Sequence, residues 1–247
     1  MTTYFYTPPD RVQGDRLVLD ADEAVHAFRV LRHRAGDELC VVDGEGGWYR
    51  VRLDAIDARQ AVGRIVERRR DVGEPAFRMR VGMALLKQEK RFEQFLEKAT
   101  ELGVSDVYPM TTSRTEKQSM RLHRVELILQ AAMKQCLRSR CVTMHEPAGF
   151  DAVLAAVPDE LVLICHEGAD RTASGLLDAI DRAGMPAALT LLVGPEGGFS
   201  DEEVARAVGV GAVPVSLGER RLRAETAAIA ACAGVMLHYQ QKDGAAR

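Results

Sequence analysis

Apolar residues recur in short runs through the first 72 positions, broken by glycine, proline and charge. Tyr4–Tyr6, Arg16–Leu19, Glu38–Val42, Trp48–Leu53 and Val62–Glu67 each read as a strand, and their close spacing predicts a small β-barrel. Asp43-Gly44-Glu45-Gly46-Gly47 falls between two of them and suits a hairpin turn. One helical stretch interrupts, from about Asp22 to His33. Val25, Phe28 and Leu31 are expected on its inner face, with Gly36 just beyond its end.

The period changes after Arg68-Arg69-Arg70-Asp71-Val72-Gly73-Glu74-Pro75, where a charge run meets glycine and proline as in a linker. Domains are therefore expected over 1–72 and 73–247. A strand over Phe77–Leu86 precedes an amphipathic helix over about Glu89–Leu102, in which Phe92, Phe95, Leu96 and Ala99 share a face and Gly103 marks the end. A second helix is predicted over about Arg121–Leu137, with Leu122, Val125, Leu129, Ala132 and Cys136 on one side. From Leu161 strands and helices alternate. Leu161–Cys165, Leu189–Val193 and Val213–Leu217 are apolar runs of the kind that fill a parallel sheet covered on both faces. Helices are expected near Ala173–Ala183 and Asp201–Ala207, the latter opened by a Ser200/Glu203 capping box. An alanine-rich helix follows over about Ala224–Gln240. The second domain is thus expected to be α/β with a mostly parallel sheet, its ligand loops at the carboxyl ends of the strands.

Composition changes this picture only locally. The net charge of −3 gives no global sign of nucleic-acid binding. Between Lys87 and Arg140, however, eleven basic residues, Lys117, Arg121, Arg124 and Lys134 among them, outnumber seven acids. That excess either attracts phosphate or supplies solvated i,i+4 pairs on helix faces. Five cysteines, with no C-x-x-C pair, argue for a reducing cytoplasm and against structural zinc or a disulfide framework. Met1-Thr2-Thr3-Tyr4 lacks the basic and apolar regions of a signal peptide, and no run approaches membrane-spanning length. A cytoplasmic protein with neither metal nor membrane partner is the expectation.

The candidate chemistry lies in two glycine-containing turns, each after an apolar run. One is Val193-Gly194-Pro195-Glu196-Gly197-Gly198-Phe199-Ser200; the other is Ser216-Leu217-Gly218-Glu219-Arg220-Arg221-Leu222-Arg223-Ala224-Glu225-Thr226. Glycine lets backbone approach a ligand where a Cβ would intrude, so two such turns suggest one ligand held between two loops. The chain has no G-x-x-x-x-G-K-[ST], no complete G-x-G-x-x-G, no G-x-S-x-G and no H-E-x-x-H. That removes the usual phosphate-loop, dinucleotide, hydrolase and zinc-protease readings. The arginines and Glu225 behind Gly218 are costly in a buried turn unless they pair or bind something.

These two motifs resemble the ribosomal RNA small subunit methyltransferase E family, knotted S-adenosylmethionine-dependent enzymes of the SPOUT class. The similarity extends to Lys87–Val104, with its lysines, amphipathic helix and Glu-Leu-Gly-Val ending, and to Arg29-Val30-Leu31-Arg32 and Asp43-Gly44, so it spans nearly the whole chain. Three positions depart from it: Ala224, where threonine is frequent; Lys134-Gln135-Cys136-Leu137-Arg138; and Thr3 or Tyr4, where an arginine often stands.

The resemblance implies a PUA-like β-barrel that helps bind RNA, and a C-terminal α/β domain threaded into a deep trefoil knot. It also implies a homodimer that methylates N3 of a uridine in 16S ribosomal RNA within the small subunit. On this reading Leu192, Val193, Gly194, Pro195, Glu196, Gly197 and Gly198, with Ser216, Leu217, Gly218, Leu222, Arg223, Ala224 and Thr226, wrap S-adenosylmethionine. Glu196 either fixes the first loop or reaches the ribose. Arg223 stabilises the deprotonated uracil or positions phosphate. Glu225 orients Arg223 or accepts the proton, with a purely structural pair as the rival. Phosphate contacts are expected from Arg29, Arg32, Lys87, Lys90, Arg91, Arg114, Arg138 and Arg140. Two other readings stay open: a cofactor-free RNA-binding or ribosome-assembly protein, and a knotted methyltransferase acting on another RNA such as tRNA.

Overall fold

The computed structural model describes residues 3–116, 120–157, 161–166 and 175–245. It divides into two compact units, Met1–Glu74 with Glu126–Cys141, and Pro75–Val125 with Val142–Arg247. The predicted basic residue Lys117 and the start of the helix expected at Ala173 lie outside the described residues.

The first unit contains β1 (Tyr4–Tyr6), β2 (Val12–Gln13), β3 (Arg16–Leu19), α1 (Ala21–Val25), β4 (Glu38–Val42), β5 (Gly47–Ile56) and β6 (Ala61–Arg70). They form one sheet in the order β1-β4-β5-β6-β3-β2, with β1 parallel to β4 and the other pairs antiparallel. Alternating residues such as Leu17, Leu19, Leu39, Val41, Val51 and Leu53 point into its core. The β4–β5 turn is closed by buried Asp43, whose carboxylate accepts from the Glu45 and Gly47 N–H groups and from the Tyr49 hydroxyl, each at 2.8 Å.

The helix expected over Asp22–His33 takes a different form. Asp20 caps α1, which runs only to Val25, and the chain then widens into a π-turn over His26–Val30. The Leu31 N–H bonds the His26 carbonyl at 3.1 Å, one residue beyond the α-helical spacing. That extra residue rotates the inward face. Ala24 and Ala27 enter the core, while Phe28 and Leu31, expected inside, are exposed.

The second unit is built on β7 (Arg78–Ala84), α2 (Glu89–Glu101) and β8 (Val104–Thr111), with the first turn of α3 (Leu122–Gln135, which belongs to the first unit from Glu126 on), then β9 (Thr143–Met144), β10 (Ala148–Gly149) and α4 (Phe150–Ala156). β11 (Leu161–Cys165), α5 (Leu176–Arg182), β12 (Ala188–Val193), α6 (Asp201–Gly209), β13 (Val213–Val215) and α7 (Ala224–Ala245) complete it. Its sheet runs β10-β8-β7-β12-β11-β13, with β9 also against β8, and every pair is parallel. Phe92, Phe95, Leu96 and Ala99 of α2 are all buried, as their spacing predicts.

β8 escapes the sequence pattern because Ser105 and Asp106 interrupt its apolar run. Both are satisfied locally. Asp106 accepts from Ser105 Oγ at 2.7 Å, from Arg78 Nε and Nη2 at 3.1 and 3.2 Å, and faces His145 Nε2 at 3.3 Å. Burial raises the Asp106 carboxyl, but these bonds outweigh it and hold the group below its ordinary value.

Residues 126–141 belong with the first unit, although the linker placed everything after 72 in the second domain. Met133 is buried with Tyr4, Val42 and Trp48, and Lys134 pairs with Glu23. Glu74 then ties the segment down. Its Oε2 accepts from Arg138 Nε and Nη2 at 3.0 and 2.7 Å, and its Oε1 from the N–H groups of Ser139 and Arg140 at 3.1 and 2.9 Å. A linear reading of composition has no access to such a return of the chain.

Candidate active site

A pocket of about 490 Å³ opens at the carboxyl ends of the parallel strands of the second unit. Cys165 ends β11 and His166 follows it, Val193 ends β12 and Gly194–Phe199 follow it, and Ser216–Gly218 with Arg220–Ala224 follow β13; Ala227 of α7 and Arg114 complete the wall. The two glycine turns therefore face one space.

Each loop is held by identifiable contacts. A Cβ on Gly194 would lie 3.0 Å from the Gly198 carbonyl carbon and the Phe199 nitrogen, so the loop folds back on itself only with glycine there. Gly218 has φ 107°, a backbone region that favours glycine, and its N–H bonds Ser216 Oγ at 3.2 Å. Ser200 and Glu203 form the predicted capping box at the start of α6. Buried Glu203 also accepts from the Ser113 N–H at 2.7 Å. Arg114 Nη1 donates to the carbonyls of Gly197 and Phe199 at 2.7 and 3.1 Å. Glu196 Oε1 accepts from the Lys87 N–H at 3.1 Å, which ties the first loop to the residues beyond β7. The segment after β8 and the first loop are thus laced together.

Burial pushes the Cys165 thiol up to about 12, so it stays protonated in the pocket wall. Among the described residues no group of three or more His, Cys, Asp or Glu side chains could hold a metal ion, and no helix is long and apolar enough to cross a membrane.

Residues 73–236 match the model of the RNA methyltransferase domain family, and residues 19–66 that of the RNA methyltransferase PUA domain. The chain is 32% identical to the ribosomal RNA small subunit methyltransferase E of Synechocystis, over 92% of this chain and 75% of that one. The chain belongs to the ribosomal RNA small subunit methyltransferase E family. Two solved structures agree. A Legionella pneumophila protein in complex with the cofactor SAM has a TM-score of 0.82 at 29% identity, covering 96% of this chain and 98% of its own. The ribosomal RNA small subunit methyltransferase E of Neisseria gonorrhoeae, bound to S-adenosylmethionine, has a TM-score of 0.81 at 27% identity, covering the same shares.

Most residues that the methyltransferase E resemblance assigned to the cofactor line this pocket, but Leu192 and Thr226 do not. Leu192 is a mid-sheet residue packed into the apolar core, and Thr226 is exposed on α7. Cys165, His166, Phe199, Arg220, Arg221 and Ala227 line it without having been singled out as site residues. The first two sit where strand β11 ends, so the carboxyl-end rule was the available signal.

The charged candidates separate clearly. Arg223 is exposed in the pocket wall, and no acid pairs with it among the described residues. Glu225 faces Arg91 instead, with Arg91 Nε 3.6 Å from Glu225 Oε1. The Glu225 side chain is only 8% exposed, and its Oε2 is buried without a hydrogen-bond partner. Of the eight basic residues assigned to RNA, Arg138 is buried on Glu74, Arg140 bonds Asp71 at 2.6 Å and Lys87 bonds Glu116 at 2.8 Å. Arg91 and Arg114 are occupied as described. Arg29, Arg32 and Lys90 are exposed and have no acid partner among the described residues.

Proposed function

We propose that this chain transfers a methyl group from S-adenosylmethionine to N3 of a uridine in 16S ribosomal RNA. The pocket carries this reading. Two glycine loops, from the ends of β12 and β13 on either side of β11, enclose a volume suited to a small organic ligand, in a chain whose solved relatives hold that cofactor. The residues present fit it. Gly194 and Gly218 keep side chains out of the space, while Val193, Leu222 and Ala227 supply apolar wall beside loop backbone able to hydrogen-bond a nucleoside.

When bound, the cofactor supplies a methyl group already made electrophilic by its sulfonium. The protein's task is orientation and control of one proton. N3 of neutral uridine carries a hydrogen, which passes to solvent water before transfer; the imide anion so formed gains the methyl group as the methyl–sulfur bond breaks, and the sulfur keeps that electron pair. Arg223, unpaired in the pocket wall, stabilises the resulting imide anion. Glu225 acts through Arg91 as a positioning residue rather than by orienting Arg223. The target base is presented out of its stack.

Further parts of the reading rest on family membership. The loops after β12 and β13 meet at one pocket, in keeping with a C-terminal segment threaded as a deep trefoil knot. Leu237 of α7 is 53% exposed and Leu177 of α5 39%, apolar exposure that supports pairing of two copies as a homodimer. Sedimentation of the purified chain tests that pairing. A ribosomal RNA substrate supports a cytoplasmic location.

The direct test incubates the chain and S-adenosylmethionine with 16S RNA, small subunits or transfer RNA and identifies the modified nucleoside by mass spectrometry. 3-Methyluridine in the ribosomal samples supports the reading. Methylation of transfer RNA alone, or no heat of S-adenosylmethionine binding in calorimetry, would replace it with one of the two rivals.

A further inference from the structure

From His26 to Arg34 the chain carries three arginines, two histidines and no acid. The π-turn decides how this segment is displayed. Ala24 and Ala27 anchor it in the core, and His26 and His33 pack their rings against Phe5 at 5.9 and 6.1 Å. Every residue from Phe28 to Arg32 is left exposed. Phe28 is 41% exposed, Val30 65% and Leu31 39%, three apolar side chains presented alongside Arg29 and Arg32. Arg32 ends the turn in the left-handed region at φ 61°, a strained conformation for a residue with a side chain.

Neighbouring acids do not neutralise the two arginines. Asp37 is engaged by His33 at 3.4 Å and by the Arg34 N–H at 2.8 Å, Glu23 is paired with Lys134, and Asp20 caps α1. Elsewhere the basic side chains expected to meet phosphate are mostly taken up by protein groups. An exposed aromatic in a turn that also carries two arginines without an acid partner matches the recognition of unstacked bases. One face stacks on the ring, and the flanking cations meet the backbone phosphates.

We infer that the Phe28–Arg32 turn is a platform for single-stranded RNA, with Phe28 stacking a nucleobase, Val30 and Leu31 extending the apolar surface, and Arg29 and Arg32 meeting phosphate. The inference rests on the ribosomal RNA reading and deepens it, because it gives the first unit a base contact as well as charge.

The test measures binding of the full chain to unmodified 16S transcript by fluorescence anisotropy across a salt series, with methyl transfer followed in parallel. Phe28→Ala should weaken binding about five- to a hundredfold, the range for losing one base–aromatic stack. Its salt slope and thermal midpoint should stay unchanged, and Phe28→Trp should restore affinity. The double variant Arg29→Gln/Arg32→Gln should instead flatten the salt slope by about 1.4–1.8. Wild-type affinity in Phe28→Ala, while the wild-type chain binds and methylates normally, would overturn the platform and leave the ribosomal RNA reading intact. Altered sedimentation of Phe28→Ala with unchanged RNA affinity would assign the patch to protein contact and likewise overturn it. Failure of the wild-type chain to bind the transcript and to methylate it would overturn both.

Discussion

Arg114 Nη1 donates to the Gly197 carbonyl at 2.7 Å, so a side chain from the segment after β8 fixes the curvature of a loop that begins at the end of β12. A second bond to the Phe199 carbonyl at 3.1 Å completes the clamp. Both bonds come from one nitrogen, Nη1, and the rigid guanidinium plane that aims it has no counterpart in the flexible lysine side chain. Arg114→Ala is therefore expected to weaken S-adenosylmethionine binding about tenfold, from the loss of charged hydrogen bonds that shape the site. Titration calorimetry checks this, and Arg114→Lys should recover only part of the affinity.

Gly194 tests the same loop from its backbone. Its added Cβ would meet two backbone atoms at 3.0 Å, and neither belongs to a side chain that can swing away. Gly194→Ala should cost about 1–3 kcal/mol of stability through overpacking and abolish measurable cofactor binding. Thermal denaturation and calorimetry on one sample separate the two effects.

Arg91 and Glu225 should behave as a unit. Removing Arg91 leaves a nearly buried carboxylate uncompensated, with one oxygen already lacking a hydrogen-bond donor. Arg91→Ala is expected to lose about 1–3 kcal/mol, and the double variant Arg91→Ala/Glu225→Ala much less than the sum of the two singles. Denaturant titration of the four proteins measures the coupling. If Glu225 acts only through Arg91, both single variants lower methyl transfer by the same factor.

Asp106 makes an acid-stability prediction. Its folded-state value lies below the ordinary 3.8, so its contribution is fully present above that value and disappears as pH falls through the lowered one. Asp106→Asn should lower the thermal midpoint at neutral pH. The gap to wild type should close progressively below about pH 4. A gap that widens in acid would reverse the sign of the argument.

Local periodicity made most of the parallel sheet and α2 legible, because buried strands and amphipathic helices advertise themselves in apolar spacing. The two glycine turns were legible for a related reason: Gly194 and Gly218 stand where backbone geometry leaves little alternative. What escaped depends on partners distant in sequence. The polar start of β8 is acceptable only because Arg78 and His145 converge on Asp106. Residues 126–141 return to the first unit through Glu74 and Met133. The π-turn at His26 needs just one extra residue, yet it exchanges the inner and outer faces of a whole helix. Arg223 and Glu225 were singled out by type and position. That Glu225 turns to Arg91 is a fact of three dimensions, with α2 and α7 brought together by packing.

The proposed reaction is tested most directly by nucleoside mass spectrometry of 16S RNA from a strain lacking this chain, complemented with wild-type protein or with Arg223→Ala. Methylation at uridine N3 by this enzyme requires that 3-methyluridine vanish from the deletion strain, return with the wild-type chain and stay absent with Arg223→Ala. Persistence of 3-methyluridine in the deletion strain would mean that the pocket serves another target, and its full return with Arg223→Ala would remove Arg223 from the chemistry.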